Sequence, residues 1–288
     1  MKIKVSKVAT LLLVLVVVSF QNSAFAKVEA VLGSLALKDN PNLATQLPLT
    51  NNPEIILSRP QYIISYNKDR RTPNWVAWKL EANQIGATGR SNLFAVDSEL
   101  ENYLSSADPN QHAVTSTDYS GSCFDRGHQI PSADRTDLVV NNEATFLMSN
   151  MIPQTPYLNR VIWEHLEQHT RQLVQTENKK VYVIAGPIYD QNFGAIGPKA
   201  DIQVPSKDFK VIVILDANQT IADITPSTPM ITVIMPNTLE DGSNPTIGRG
   251  CSAFATSTLS GSTDWQKYQT TLSEIEKLSG ITLFPKFH

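Results

Sequence analysis

Short apolar runs rich in β-branched residues, set off by Pro, Gly and Asn, recur along this chain, whereas only one long stretch has clear helical periodicity. Tyr62–Tyr66, Trp75–Leu80, Lys180–Ala185, Phe209–Leu215 and Met230–Met235 have the length and composition of strands. Between the second and third of these, Asn159 to about Thr176 repeats apolar residues at Ile162, Leu166 and the pair Leu173-Val174 with polar residues between, as on one face of a helix. A shorter helical stretch lies around Ser98–Ser105. Asp264–Leu278 reads as a terminal helix, with Asp264 near its start and Gly280 just past its end. Few helices among many strand-like runs predict a mixed α+β fold with a central, largely antiparallel sheet flanked by helices. At 288 residues, 41% hydrophobic and 18% charged, the chain can bury a substantial core.

The N-terminus carries Lys2, Lys4 and Lys7, then the apolar run Val8–Val18, then Ala24-Phe25-Ala26 before Lys27. A positive region, a short apolar core and a small-x-small site predict a signal peptide over residues 1–26, cleaved after Ala26, and a secreted or periplasmic product. An uncleaved anchor is the alternative, although a spanning helix needs about 20 apolar residues. No stable membrane association is expected of the rest. Residues 27–54 read as a loosely packed N-terminal arm, and 55–288 as one catalytic domain. Loss of the leader lysines, with no acid lost, takes the formal charge from −3 to −6. A polyanionic ligand would then be repelled at long range, so its binding must rest on a local basic patch. Lys68, Arg70, Arg71, Arg90, Arg126, Arg135 and Arg160 are candidates, with Lys68 and Arg71 read as solvated surface charges. Cys123 and Cys251 are compatible with one disulfide in an exported chain, or with two free thiols.

The chemistry concentrates in Asp125-Arg126-Gly127-His128, followed by Gln129-Ile130-Pro131-Ser132-Ala133-Asp134-Arg135. A titratable imidazole, guanidiniums that match phosphate and a carboxylate stand around a residue that permits close backbone approach. Downstream, Ser149-Asn150-Met151-Ile152-Pro153-Gln154-Thr155-Pro156-Tyr157-Leu158-Asn159 is an amide-rich segment leading into the helical stretch. With these two motifs the chain resembles the DNA/RNA non-specific endonucleases of the ββα-metal superfamily, which include secreted sugar-non-specific bacterial nucleases and endonuclease G. Tyr62–Tyr66, Thr72–Trp78, Gly89–Phe94, Val183–Pro187 and Trp265–Pro285 resemble further landmarks of that family, in the same order.

The resemblance implies a ββα-metal nuclease fold and Mg²⁺-dependent hydrolysis of DNA and RNA to 5′-phosphate ends, with Mn²⁺ as a substitute metal. His128 is then the general base, since a neutral imidazole near its pKa can take a proton from water. Asn159 becomes the metal ligand, its neutral amide oxygen suiting a hard cation that keeps most of its waters. Taken alone, an Asn before a helix is a cap. Glu167, eight residues on, would lie two turns along and about 80° around an α-helix, where it can orient water at the metal. Arg126 and Arg90 would clamp the phosphate. Asp125 and Asn150 would support the motif loops, and Glu164 would point into solvent. A protein inhibitor is a further expected partner, and oligomeric state is open. His165 and His169 have zinc-compatible spacing, but Leu166 stands where a metalloprotease helix has Glu. The other functional readings are a phosphodiesterase restricted to one nucleic acid and a catalytically inactive extracellular nucleic-acid-binding protein.

Overall fold

The computed structural model describes residues 28–44, 46–248, 250–256 and 264–287. The expected signal peptide and its cleavage site lie outside the described residues. The main strands are β1 Val28–Leu32, β2 Glu54–Arg59, β3 Tyr62–Asn67, β4 Thr72–Leu80, β5 Asp125–His128, β6 Met151–Gln154, β7 Lys180–Ile188, β8 Lys207–Leu215 and β9 Met230–Pro236. The α-helices are α1 Ser98–Ala107, α2 Val139–Ala144, α3 Trp163–Gln175 and α4 Leu272–Ser279. Seven strands form one sheet in the order β1-β2-β3-β4-β7-β8-β9, antiparallel except where β1 runs parallel to β2. The expected α+β fold with a large central sheet is present.

Alternation along the strands divides the core into two layers. Val76, Trp78, Val181, Val183, Ile212 and Val233 face α1 and α3, joining Leu100, Trp163 and Leu166. Their neighbours Trp75, Ala77, Tyr182, Ile184, Phe209, Val211 and Val213 face the opposite way, toward α4 and the C-terminal segment at Ile275, Leu283 and Phe284. A strand buried on both faces reads as a continuous apolar run, which is why β7 and β8 stand out in the sequence. The hairpin of β5 and β6 is separate from this sheet and pairs Gly127 with Ile152 and His128 with Met151.

Three expectations change. The segment before residue 54 is not a loosely packed arm. β1 adds a sheet strand, and the buried Asn40 side chain donates to Ser58 Oγ and Arg59 O, both at 2.9 Å. The terminal helix is broken: Asp264–Tyr268 is a 3-10 turn, and α4 starts only after Thr271, whose side chain accepts from Glu274 N. Thr270 N instead bonds Thr232 O on β9, a tertiary contact that local spacing does not reveal. The long helix begins with a π turn, Leu158–Ile162, closed by Trp163 N on Leu158 O.

Candidate active site

β5, paired antiparallel with β6, carries His128 at its end, between the rings of Phe146 and Phe94. Its imidazole is 7% exposed and packs edge-on against Phe146, centroids 4.8 Å apart, and Phe94 at 5.6 Å. The ring hydrogen-bonds the main-chain oxygen of Arg126, while Nε2 is buried with no partner among the described residues. One nitrogen is therefore held and the other carries a free lone pair. Burial, followed by the nearby Arg90 guanidinium, pushes the His128 pKa down to about 3, so the ring is neutral at working pH.

Glycine at 127 is dictated by close approach. A Cβ there would lie 2.1 Å from Gln154 Oε1, and Gln154 cannot move aside because it is buried and donates to Asp208 Oδ2 at 2.5 Å. Burial raises the Asp208 carboxyl to about 7. After His128 the chain is fixed by Asn150, fully buried, whose Oδ1 accepts from Ile130 N at 3.1 Å and whose Nδ2 donates to Ile130 O and Thr145 O at 3.0 and 2.8 Å. All of its polar atoms serve the main chain, so Asn150 supports the histidine loop.

Asp125, at the other end of β5, reaches the start of the long helix. Its Oδ2 accepts from Asn159 Nδ2 at 2.9 Å, and both its oxygens take Arg160 at 2.6 and 2.7 Å. With its amide nitrogen committed to Asp125, Asn159 turns its oxygen away, and that oxygen accepts no hydrogen bond from the described residues. A π turn winds fewer degrees per residue than an α-helix, which carries Glu167 nearer the line of Asn159 than the about 80° of an uninterrupted α-helix. Glu167 lies under Lys210, whose Nζ is 3.4 Å from Oε1. Glu164 is exposed and takes a hydrogen bond from Gln168 at 3.2 Å.

Arg126 lies over the Phe94 ring at 3.9 Å and donates to Ser116 Oγ. Arg90 donates to Ser132 Oγ and Asn92 Oδ1, both at 2.8 Å, and lies 4.9 Å from the Phe146 centroid. The two guanidiniums thus flank the histidine on its aromatic walls, each hydrogen-bonded to neutral side chains. Elsewhere the basic candidates are engaged. Arg135 is 1% exposed and donates to Asp134 O, Gln61 O and Lys79 O, so it braces the core and cannot meet phosphate. Arg71 pairs with Asp201, Lys68 with Glu29, and Arg70 lies over Tyr189.

Sequence reasoning missed Arg171, one helical turn after Glu167, which pairs with the buried Asp134 at 3.1 Å. Its i,i+4 spacing from Glu167 was the available signal. The aromatic walls at Phe94 and Phe146 left no such mark. His165 and His169 hold the C-terminal segment instead of a metal: Nδ1 of His165 is 3.0 Å from Asp264 Oδ1, and His169 stacks on Trp265. Among the described residues no group of three or more His, Cys, Asp or Glu is placed to hold a metal. A cation here would be held by few protein oxygens and keep its waters, as Asn159 with its free amide oxygen suits.

Cys123 and Cys251 are joined in a disulfide with Cα atoms 5.2 Å apart, tying the approach to β5 to a segment 128 residues away. Phe124 and Phe254 stack edge-on beside it at 5.2 Å.

Residues 38–287 match the DNA/RNA non-specific endonuclease family. The chain belongs to that family. A nuclease of Nostoc sp. is 36% identical over 247 residues, covering 85% of this chain and 78% of the relative. Nuclease C1 of Cunninghamella echinulata var. echinulata is 29% identical, covering 80% and 82%. Mitochondrial endonuclease G of Homo sapiens is 30% identical, covering 65% and 62%. Among solved structures, endonuclease G in complex with EndoGI superposes with a TM-score of 0.59 at 27% identity, over 78% of this chain and 84% of that one. As a DNA/RNA non-specific endonuclease family member the protein is a nuclease, and its motif residues come together where β5 meets β6 and the π turn leading into α3. No helix among the described residues is long and apolar enough to cross a membrane.

Proposed function

We propose that the protein is a secreted, Mg²⁺-dependent endonuclease that hydrolyses phosphodiester bonds of DNA and RNA alike, leaving 5′-phosphate ends. The observation that carries this reading is the buried Nε2 of His128, partnerless beside two guanidiniums and one hairpin away from an amide oxygen with no donor. A bound divalent cation would supply positive charge at the scissile phosphate and a site where water is more acidic. Asn159 would hold it through Oδ1, with Asp125 fixing the amide. His128 Nε2 takes the proton of the attacking water, and the Arg126 carbonyl holds the other ring nitrogen so that the Nε2 lone pair is left free. Arg126 and Arg90 bind the non-bridging oxygens, where negative charge grows in the transition state. Glu167 would orient a water of the bound cation. Phosphate oxygens are common to DNA and RNA, and the groups just named read no base edge, which favours a sugar-non-specific enzyme. A protein inhibitor is proposed as a partner, since the structural relative was solved bound to EndoGI.

Nicking of supercoiled plasmid and cleavage of single-stranded RNA, each with Mg²⁺ and with EDTA, test this reading. Both substrates should be cut with Mg²⁺ and neither with EDTA. Cleavage of one polymer alone would replace it with a restricted nuclease, and binding without cleavage of either with an inactive nucleic-acid-binding protein.

A further inference from the structure

Lys210 sits in the middle of β8, 1% exposed, on the face shared with Ile212 and opposite Phe209 and Val211. An ammonium on that apolar face is costly by several kcal/mol unless its charge is matched. It lies 4.0 Å from the Trp163 ring centroid and 5.8 Å from that of Trp78, and its one carboxylate contact is Glu167 Oε1 at 3.4 Å. Trp78 Nε1 donates to Asp134 Oδ2 at 3.0 Å, and Asp134 pairs with Arg171. Two cations and two carboxylates thus form a chain running past Trp78, and within it Glu167 is the carboxylate that also acts on Arg90 beside His128. Its Oε2 accepts no hydrogen bond from the described residues.

We propose that Lys210 is a positioning residue of the nuclease: from inside the sheet it pins Oε1 of Glu167, so that Oε2 is presented to the water of the cation site. This inference rests on the role assigned to Glu167 above. A carboxylate on a helix surface samples several rotamers, and anchoring one oxygen removes most of them. Arg171, Asp134 and Arg90 also act on Glu167, and burial drives both Glu167 and Lys210 toward their neutral forms while each one's charge opposes the other's shift. A buried ion pair of this kind adds little to stability, so its use here is geometric.

The test is a cycle of Lys210→Met, Glu167→Gln and the double variant in the full mature chain. Mg²⁺ affinity is measured by calorimetry, Tm on the metal-free protein, and kcat and KM on plasmid. Lys210→Met should lower Tm, since Glu167 loses its matched charge, with the double variant regaining it, and should weaken Mg²⁺ binding about 10-fold and lower kcat comparably with KM for DNA unchanged, as losses behind a metal site typically do. In the Glu167→Gln background it should add nothing, and Lys210→Arg should restore part of the loss. If Lys210→Met does not fold, Lys210→Gln carries the same comparison. Glu167→Gln with wild-type Mg²⁺ affinity overturns the role of Glu167 and this inference with it. A weakened Glu167→Gln beside an unaffected Lys210→Met, or effects that simply add, overturns the inference alone.

Discussion

At the residue scale, the neighbours of His128 are arranged to leave one nitrogen free, as the proposed general base requires. Asn150 closes the loop behind it, Arg126 O holds the ring, and Phe146 and Phe94 exclude water from its faces. Gly127 is the most sensitive point in this arrangement. Gly127→Ala should lose about 1–3 kcal/mol of stability to overpacking against Gln154 and lower turnover at least 10-fold by displacing the adjacent imidazole. Urea unfolding and plasmid nicking check both halves, and a variant with wild-type values would show that the hairpin can absorb a methyl group. That His128, Arg126 and Arg90 lie together was legible in the sequence through the motif resemblance, and their roles, with those of Asn159 and Glu167, stand as proposed above. Arg135 was not legible as a buried residue, since burial against Gln61 O and Lys79 O depends on strands remote in sequence.

At the element scale, three connections hold the motif residues in place: the β5 and β6 ladder, the π turn into α3, and the disulfide. Strand runs buried on both faces were legible as such. The π turn was not, because it differs from an α-helix by one residue in its closure, and neither was the break after Tyr268, which a contact to β9 imposes. β1 escaped notice because its alternation is short and half exposed. The disulfide spans 128 residues and anchors the strand bearing Asp125. Breaking it, by reductant or as Cys123→Ser with Cys251→Ser, should remove about 4–5 kcal/mol of stability and lower Tm by on the order of ten degrees. Calorimetry with and without reductant measures this, and an unchanged Tm would mean that the bridge is dispensable to the fold.

At the scale of the whole molecule, the proposed function has an acidic protein bind a polyanion through a few guanidiniums. With Arg135 buried and Arg160 paired to Asp125, Arg90 and Arg126 remain as the phosphate contacts, so log affinity against log salt should fall with a slope of roughly −2 on duplex DNA. A slope steeper than about −7 would require a basic surface that is not among the described residues. Stability should vary with pH as buried groups dictate. Burial raises the Glu54 and Asp208 carboxyls to about 7 from 4.5 and 3.8, so the folded state holds protons that the unfolded chain has released. Their contribution is fully present below about pH 4 and is lost as pH rises through 7. His128, depressed to about 3, acts oppositely, since the unfolded chain takes up a proton below 6.5 and stability falls from there toward 3. Two carboxyls outweigh one imidazole, so Tm should decline from pH 5 to pH 8, and Glu54→Gln and Asp208→Asn should each flatten that decline. A decline equally steep in both variants would remove these carboxyls as its cause.

The central claim is that His128 takes the proton from water while separate groups hold the nucleic acid. Single-turnover cleavage by His128→Ala at saturating Mg²⁺, with duplex affinity measured on the same preparation, tests it most directly. The predicted result is a rate lower by roughly 10²–10⁴ with affinity within a few-fold of wild type. A rate within about tenfold of wild type, or a loss explained entirely by weaker binding, would contradict it.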